Sequence, residues 1–414
     1  MIFVHLIIIK KRYMFDKSSI MGYYYIGIGQ KERWHTVTCI ICELNPLHNG
    51  HKYLLDAASD DKIVLIMSGN YTQRGSAAVY DKYTRAAAAV MAGADLVVEL
   101  PFPWCSAGAA DFAAAGVRIA AAMGADRLVF GSGSGNSELL SKAGETFAKE
   151  DFDTTFTMAS KSDPAEGAAK LRERLLGDLF THDEAKILSN PNDILGIEYY
   201  RYAYGTNVKC CPILRREGGT VTSATAIRSM IYENGVCFAE RYVPDAVFDV
   251  FANAVPTNET VLYDVARTLL RMDKCDLNSA ECEGGLGHRL RRIAGECSNG
   301  AELLRLAATK KYTDARIRRA ILYSIFGITR DQIRETPMYT TVLGIGKEGG
   351  SILRGLKKTE GIEILTKAAD HGKLSGSAHR QFDVSAEADR FYTMLMGDVR
   401  KEEYFLSVTP YVKK

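Results

Sequence analysis

One stretch concentrates the groups best suited to handling a phosphate: Glu43-Leu44-Asn45-Pro46-Leu47-His48-Asn49-Gly50-His51. Two imidazoles three positions apart at the first turn of a helix can both donate hydrogen bonds to phosphate oxygens. Gly50, between them, has no side chain, so an anion can approach its backbone closely. A helix start adds unpaired N–H groups and the positive end of the helix dipole. Donors placed this way stabilise charge that develops at an attacked α-phosphate. The plainer reading is a helix start with two surface histidines and a turn at Asn45-Pro46, and a lone H-x-G-H favours it. Position shifts the balance, because the motif directly follows the apolar run Val37-Thr-Cys-Ile-Ile-Cys42 and opens a helix.

A second element reinforces it. Thr222-Ser223-Ala-Thr225-Ala-Ile-Arg228 follows an apolar run and a Gly-Gly turn, then begins a helix. Ser and Thr are good N-caps whose hydroxyls reach phosphate, and Arg228 adds a fixed fork of positive charge; alone, it is simply a capped helix. Lys52, beside His51, and Gln73-Arg74 point to the same sheet edge, with ordinary surface polarity as the even alternative. Cys39 and Cys42 match C-x-x-C, but residues three apart in a strand face opposite ways and cannot share one metal. Cys275, Cys282, His288 and Cys297 fit no common zinc spacing, so ordinary packing is expected and no metal ligands are assigned.

The elements that position these residues follow from the hydropathy pattern. Strands are predicted at 37–42, 62–67, 95–99, 127–130 and 208–214. Helices are predicted near 50–58, 81–92, 106–123, 136–149 and 191–204, with another from about 223. Strands separated by helices indicate parallel pairing with right-handed crossovers, hence a doubly wound, Rossmann-like α/β domain over 36–238 with ligands at the carboxyl ends of its strands. Beyond about residue 238 the strand signals fade, and helical periodicity at 261–271, 287–297, 301–308 and 314–325 predicts a mostly helical domain over 239–414. Residues 286–319 hold nine Lys or Arg against three Asp or Glu. Arg289, Arg291, Arg292, Lys310, Lys311, Arg316, Arg318 and Arg319 could neutralise nucleic-acid phosphates there, or only solvate helix faces.

Composition bounds the rest. The 414 residues are 47% hydrophobic with a net charge of +2, enough for two or three domains and far from a polybasic chain. No apolar run approaches the roughly 18 residues a membrane-spanning helix needs. Residues 2–9 are apolar except His5 and precede Lys10-Lys11-Arg12, the reverse of a secretory signal. Residues 1–35 are therefore read as an extension outside the fold, with Met21 another possible start. Nine cysteines without a regular framework fit a cytoplasmic protein.

Taken with Met67-Ser-Gly-Asn-Tyr-Thr-Gln73-Arg74-Gly75, Asp95-Leu-Val-Val-Glu-Leu-Pro101, Phe130-Gly131-Ser132 and Pro191-Asn192-Asp193-Ile-Leu-Gly196, these motifs resemble the adenylyl-transferring nucleotidyltransferase superfamily. Within it the sequence is similar to the bacterial tRNA(Met) cytidine acetate ligases, from about residue 37 to Lys310-Lys-Tyr-Thr and Leu343-Gly-Ile. The resemblance implies a nucleotidyltransferase-like fold and an ATP-dependent ligase that needs no coenzyme A. Acetate would be activated as acetyl-adenylate with release of pyrophosphate. The acetyl group would then pass to the wobble cytidine of elongator tRNA(Met), giving N4-acetylcytidine. The implied ATP site runs from Ile41 and Cys42 through the motif to Lys52, Tyr53 and Leu54, with Gly131, Asn192, one of Arg215 and Arg216, and Ser223, Thr225 and Arg228. His48 and His51 would be the catalytic pair, Mg2+ would accompany ATP, and the helical half would bind tRNA. The sequence departs from the family in its N-terminal extension and in a shortened stretch around Arg216-Glu-Gly-Gly, which leaves both arginines open. Alternatives are a metabolite adenylyltransferase that keeps AMP on its product, against which the extra helical half counts, and an RNA-binding protein with a vestigial nucleotide pocket. Gly131-Ser-Gly133-Ser-Gly135-Asn136 lacks the last glycine of a dinucleotide fingerprint, and Gly346-Lys347-Glu348 is no Walker loop.

Overall fold

The computed structural model describes residues 36–149, 152–162, 180–215, 222–356, 361–397 and 403–413, with 171, 174, 175 and 177. The extension at 1–35 and Arg216 lie outside the described residues. In chain order the described elements are β1 (Val37–Cys42), α1 (Asn49–Asp56), β2 (Lys62–Ser68), α2 (Lys82–Met91), β3 (Leu96–Leu100), α3 (Ala109–Ala122), β4 (Arg127–Ser132), α4 (Ser137–Lys149), α5 (Phe152–Ser162), α6 (His182–Leu188), α7 (Pro191–Ala203) and β5 (Lys209–Leu214). Then come α8 (Ala224–Asn234), α9 (Asp245–Ala252), α10 (Glu259–Arg271), α11 (Leu286–Glu296), α12 (Gly300–Ala307), α13 (Asp314–Phe326), α14 (Arg330–Arg334), β6 (Tyr339–Ile345), α15 (Gly349–Gly355), β7 (Glu363–Leu365), α16 (Gly376–Leu395), α17 (Tyr404–Ser407) and β8 (Tyr411–Val412). Among the described residues no helix is long and apolar enough to cross a membrane.

The sheet runs β5-β4-β1-β2-β3-β6-β7, with β8 beside β6. Its first five strands are parallel. Helices cover both faces, so the inner strands read as unbroken apolar runs such as Ile63–Met67 and Leu96–Val98, all buried. From β1 the chain winds outward through β2 and β3, then returns to build β4 and β5 on the other side. The order therefore reverses between β1 and β4, and the crevice at their carboxyl ends is where such sheets bind ligands.

The second half is mostly helical but returns to the sheet: β6 pairs antiparallel with β3, and β7 and β8 extend it. The fading of strand signals beyond residue 238 misses Tyr339–Ile345, a short run rich in β-branched residues.

A buried ion cluster joins the two halves. Lys82, at the start of α2, donates to Glu99 Oε1 of β3 at 2.8 Å and to Asp389 Oδ2 of α16 at 2.6 Å. Asn70, after β2, donates to Asp389 Oδ1 at 2.8 Å and accepts from the Lys82 backbone N–H at 2.8 Å. Burial works against the Lys82 charge, but Asp389 and Glu99 hold its pKa well above the ordinary value. The Glu99 carboxyl is pushed up by burial against the pull of Lys82, and Asp389 pushes it further. Lys82→Met should therefore strand two facing carboxyls and cost about 3–5 kcal/mol in urea unfolding. The folded variant would hold protons more tightly than the unfolded chain, so the loss should shrink as pH falls. A loss below about 1 kcal/mol, the range of exposed pairs, would show that the cluster is not holding charge.

Candidate active site

The loop after β1 is fastened from beneath. Arg85 of α2 is fully buried and donates to Glu43 O at 2.6 Å, Ser68 O at 3.1 Å, Tyr80 O at 2.9 Å and Gly69 O. One guanidinium thus ties the carboxyl ends of β1 and β2 together. Leu44 turns the chain off the strand with φ of 49°, a strained angle for a residue with a Cβ; its buried side chain and that of Leu47 anchor the turn in the core. Asn45 Oδ1 accepts from Val79 N at 2.7 Å, while Asn45 O accepts from Arg228 Nη1 at 2.8 Å.

His48 and His51 cap α1 themselves. His48 Nδ1 accepts from Gly50 N at 3.0 Å, and His51 Nδ1 accepts from His48 N at 3.3 Å. This is a capping box built from two imidazoles. Their ring centroids lie 4.0 Å apart. A backbone N–H can only donate, so each Nδ1 carries a lone pair and the proton of the neutral ring sits on Nε2. Both rings are neutral at pH 7. Burial, then Arg215 and Arg228, push His48 down to about 4. Burial, then His48 and Arg215, hold His51 well below the ordinary histidine value. The pair therefore offers two neutral Nε2–H donors.

A cavity of about 310 Å³ opens beside them. Of the residues expected at the nucleotide, Ile41, Cys42, Glu43, His48, Gly50, His51, Tyr53, Leu54, Gly131, Asn192 and Arg215 line it, and so do Gln73 and Arg74. Arg215, just past β5, donates to Asn192 Oδ1 at the start of α7 at 2.8 Å. A Cβ on Gly131 would stand 3.2 Å from Arg215 Cγ, so this glycine gives the arginine its room. Three distant motifs thus converge on one wall.

Other expected residues lie off the cavity wall. Leu44, Asn45, Pro46 and Leu47 are buried within the loop, and Asn49 donates to Arg241 O at 3.1 Å. Lys52 pairs with Asp56 one turn along α1. Ser223 caps α8 by accepting from Ala226 N at 3.2 Å, Thr225 accepts from Arg228 at 3.1 Å, and Arg228 braces Asn45. The Arg228 guanidinium, held by the Thr225 hydroxyl, thus supports the loop that carries the histidines, while Ser223 caps its own helix. Phe112, Phe130, Leu195, Tyr199, Ile213 and Leu214, absent from the expected set, complete the lining. Adjacency could have found four of them: Phe130 precedes Gly131, Leu195 lies a turn past Asn192, and Ile213-Leu214 precede Arg215.

Most of the basic cluster is engaged within the chain. Arg289 caps the end of α12 by donating to Leu306 O at 2.7 Å and Ala307 O at 3.2 Å. Arg316 donates to Glu281 O at 3.3 Å and Glu283 O at 2.9 Å. Arg318 pairs with Glu259 at 3.4 Å and Asp314 at 3.3 Å, and Arg319 with Glu281 at 3.4 Å. Arg291 pairs with Asp273 at 2.5 Å and Arg292 with Glu296 at 2.7 Å, both exposed. Lys310 and Lys311 are exposed on the loop before α13, where Lys311 donates to Gly284 O at 3.2 Å. As for the cysteines, Cys39 and Cys282 are buried and all nine are free thiols.

The ring orientation of His48 and His51 is measurable at single nitrogens. In 15N NMR of the rings at pH 7, both should show the Nε2–H tautomer. His48 should titrate near 4 rather than near the ordinary 6.5. In the window between those values the unfolded chain binds more protons, so these rings contribute stability above 6.5 that is lost as pH falls. A midpoint near 6.5 for either ring contradicts the assignment.

Comparison with known proteins agrees with this fold. A family model described as HIGH Nucleotidyl Transferase matches residues 35–404. The chain is 33% identical over 382 residues to the tRNA(Met) cytidine acetate ligase of Caldanaerobacter subterraneus subsp. tengcongensis, covering 86% of this chain and 94% of that protein. With the Streptococcus mutans protein of the same name it shares 34% identity over 359 residues, covering 81% of this chain and 93% of that protein. The crystal structure of Thermotoga maritima TmcAL bound with alpha-thio ATP matches with a TM-score of 0.83 at 27% identity, over 91% of this chain and 99% of that one. Motifs, fold and relatives agree over nearly the whole described chain, and the protein belongs to the HIGH nucleotidyltransferase family, among the tRNA(Met) cytidine acetate ligases.

Proposed function

We propose that the protein couples acetate to a cytidine of tRNA(Met) at the expense of ATP, with the chemistry held by the crevice between β1 and β4. The observation that carries this reading is the pair of neutral histidines, both with Nε2–H free to donate, facing a wall of Gly131, Asn192 and Arg215. Donors of this kind act on charge that appears only as the α-phosphate is attacked.

In the first step an acetate oxygen bonds to the α-phosphorus of ATP. The bond from that phosphorus to the bridging oxygen breaks, and pyrophosphate leaves with the electron pair. Acetate alone is a poor electrophile, and AMP gives its carbonyl a good leaving group. In the second step the exocyclic amine of the wobble cytidine of elongator tRNA(Met) attacks that carbonyl, loses a proton and releases AMP, leaving N4-acetylcytidine. His48, His51, Gly50 and Arg215 face the phosphates, while Phe112, Phe130 and Tyr199 supply apolar surface for a flat ring. Mg2+ bound with ATP would neutralise phosphate charge, and Glu43 is the carboxylate on the cavity wall able to hold it. The reaction belongs in the cytoplasm, with its tRNA.

Residues 36–238 carry the adenylation machinery in this reading, and 239–414 supply the RNA surface. Within the latter, Lys310 and Lys311 are better phosphate ligands than Arg289, Arg316, Arg318 and Arg319, whose guanidinium groups are already engaged. Arg291 and Arg292 stand between, exposed but paired.

Two double variants test the division. His48→Ala with His51→Ala should lower acetate-dependent ATP–pyrophosphate exchange by at least about 10²–10³, the effect of one such donor, and leave tRNA affinity unchanged. Lys310→Glu with Lys311→Glu should keep the exchange and reduce the slope of log affinity against log salt by up to roughly 2. Equal damage to both activities from either variant counts against it.

A further inference from the structure

The cations around the cavity differ in what they already hold. Arg215 donates to Asn192, Arg228 to Asn45 O and Arg85 to backbone carbonyls. Lys52 pairs with Asp56, and Arg319 with Glu281. Arg74 also lines the cavity, is exposed, and its guanidinium has no protein partner among the described residues.

Its loop is nonetheless fixed. Gln73 N donates to Glu43 Oε1 at 2.8 Å, and Gly75 N to Thr72 O at 2.8 Å. Gly75 sits at φ of 77° against the backbone of α13, where a Cβ would come within 2.5 Å of Arg319 N. A rigid loop thus presents one unengaged guanidinium at the mouth of the cavity.

The sheet order says which substrate it faces. Arg215 follows β5, Gly131 is in β4, the histidines follow β1, and Arg74 follows β2. With the nucleotide taken by the β5-β4-β1 side, the β2 side is left for the co-substrate. That co-substrate is an anion which must approach a highly charged triphosphate, and a cation beside it offsets the repulsion.

We propose that Arg74 binds the carboxylate of acetate, an assignment that rests on the function proposed above. A guanidinium holding one carboxylate oxygen leaves the other to attack the α-phosphorus, and its planar fork fixes the angle of approach.

The test is acetate-dependent ATP–pyrophosphate exchange with the full chain. Arg74→Ala should raise the KM for acetate by about ten- to a hundredfold while the KM for ATP stays unchanged. Arg74→Lys, which keeps the charge but loses the fork, should fall between. Free guanidinium should restore part of the Arg74→Ala activity, which it would not do for a merely structural role. An unchanged acetate KM, an ATP KM that rises equally, or a loss confined to tRNA affinity overturns the assignment. Absence of exchange in the unmodified chain would instead overturn the proposed function, and the Arg74 assignment with it.

Discussion

Arg85 donates from the core to the backbone carbonyls of Glu43, Ser68, Gly69 and Tyr80, and the functional crevice depends on those bonds. Parallel strands end with their last carbonyls crowded at one edge, a negative setting for a site that must receive phosphates. A buried guanidinium satisfies these oxygens and fixes the spacing of two loops at once. Burial lowers its pKa, while Tyr392, Asp81 and Glu43 help keep it charged. With the carbonyls occupied, the start of α1 and Arg215 set the sign of the crevice.

On that base the two histidines work as neutral donors. The helix start takes up their Nδ1 atoms, and burial beside Arg215 keeps the rings uncharged. In the proposed reaction such donors would strengthen as charge develops on the phosphate without holding the triphosphate as tightly as two cations would, favouring the transition state over the ground state. Arg228 and Thr225, a long way off in sequence, contribute by bracing the loop at Asn45. Lys82, with Asn70, Glu99 and Asp389, joins the neighbouring loop to the long helix α16. The helical half is therefore built into the sheet as well as packed beside it.

Much of this was legible in the sequence, for definable reasons. Strands buried on both faces are nearly all apolar, so β1 to β4 stand out, and the H-x-G-H motif marks the crevice by its position after β1. Gly131, Asn192 and Arg215 were reachable only through family resemblance, because no local pattern links them. The capping role of the histidines depends on ring orientation, which spacing does not encode. The charge balance of 286–319 overstates the unpaired basic surface for a countable reason: the window omits Glu259, Asp273, Glu281 and Glu283, which pair with its arginines from outside it. Strand β6 was hidden because a short run rich in β-branched residues tells little until β3 offers it an edge.

The central claim is that acetate attacks the α-phosphorus, and oxygen tracing tests it most directly. The chain would be incubated with ATP, tRNA(Met) and acetate labelled with 18O in both carboxylate oxygens, without coenzyme A, and the released AMP analysed by mass spectrometry. Attack at the α-phosphorus predicts one acetate oxygen in each AMP formed together with N4-acetylcytidine. Unlabelled AMP, or label recovered in inorganic phosphate, would contradict it.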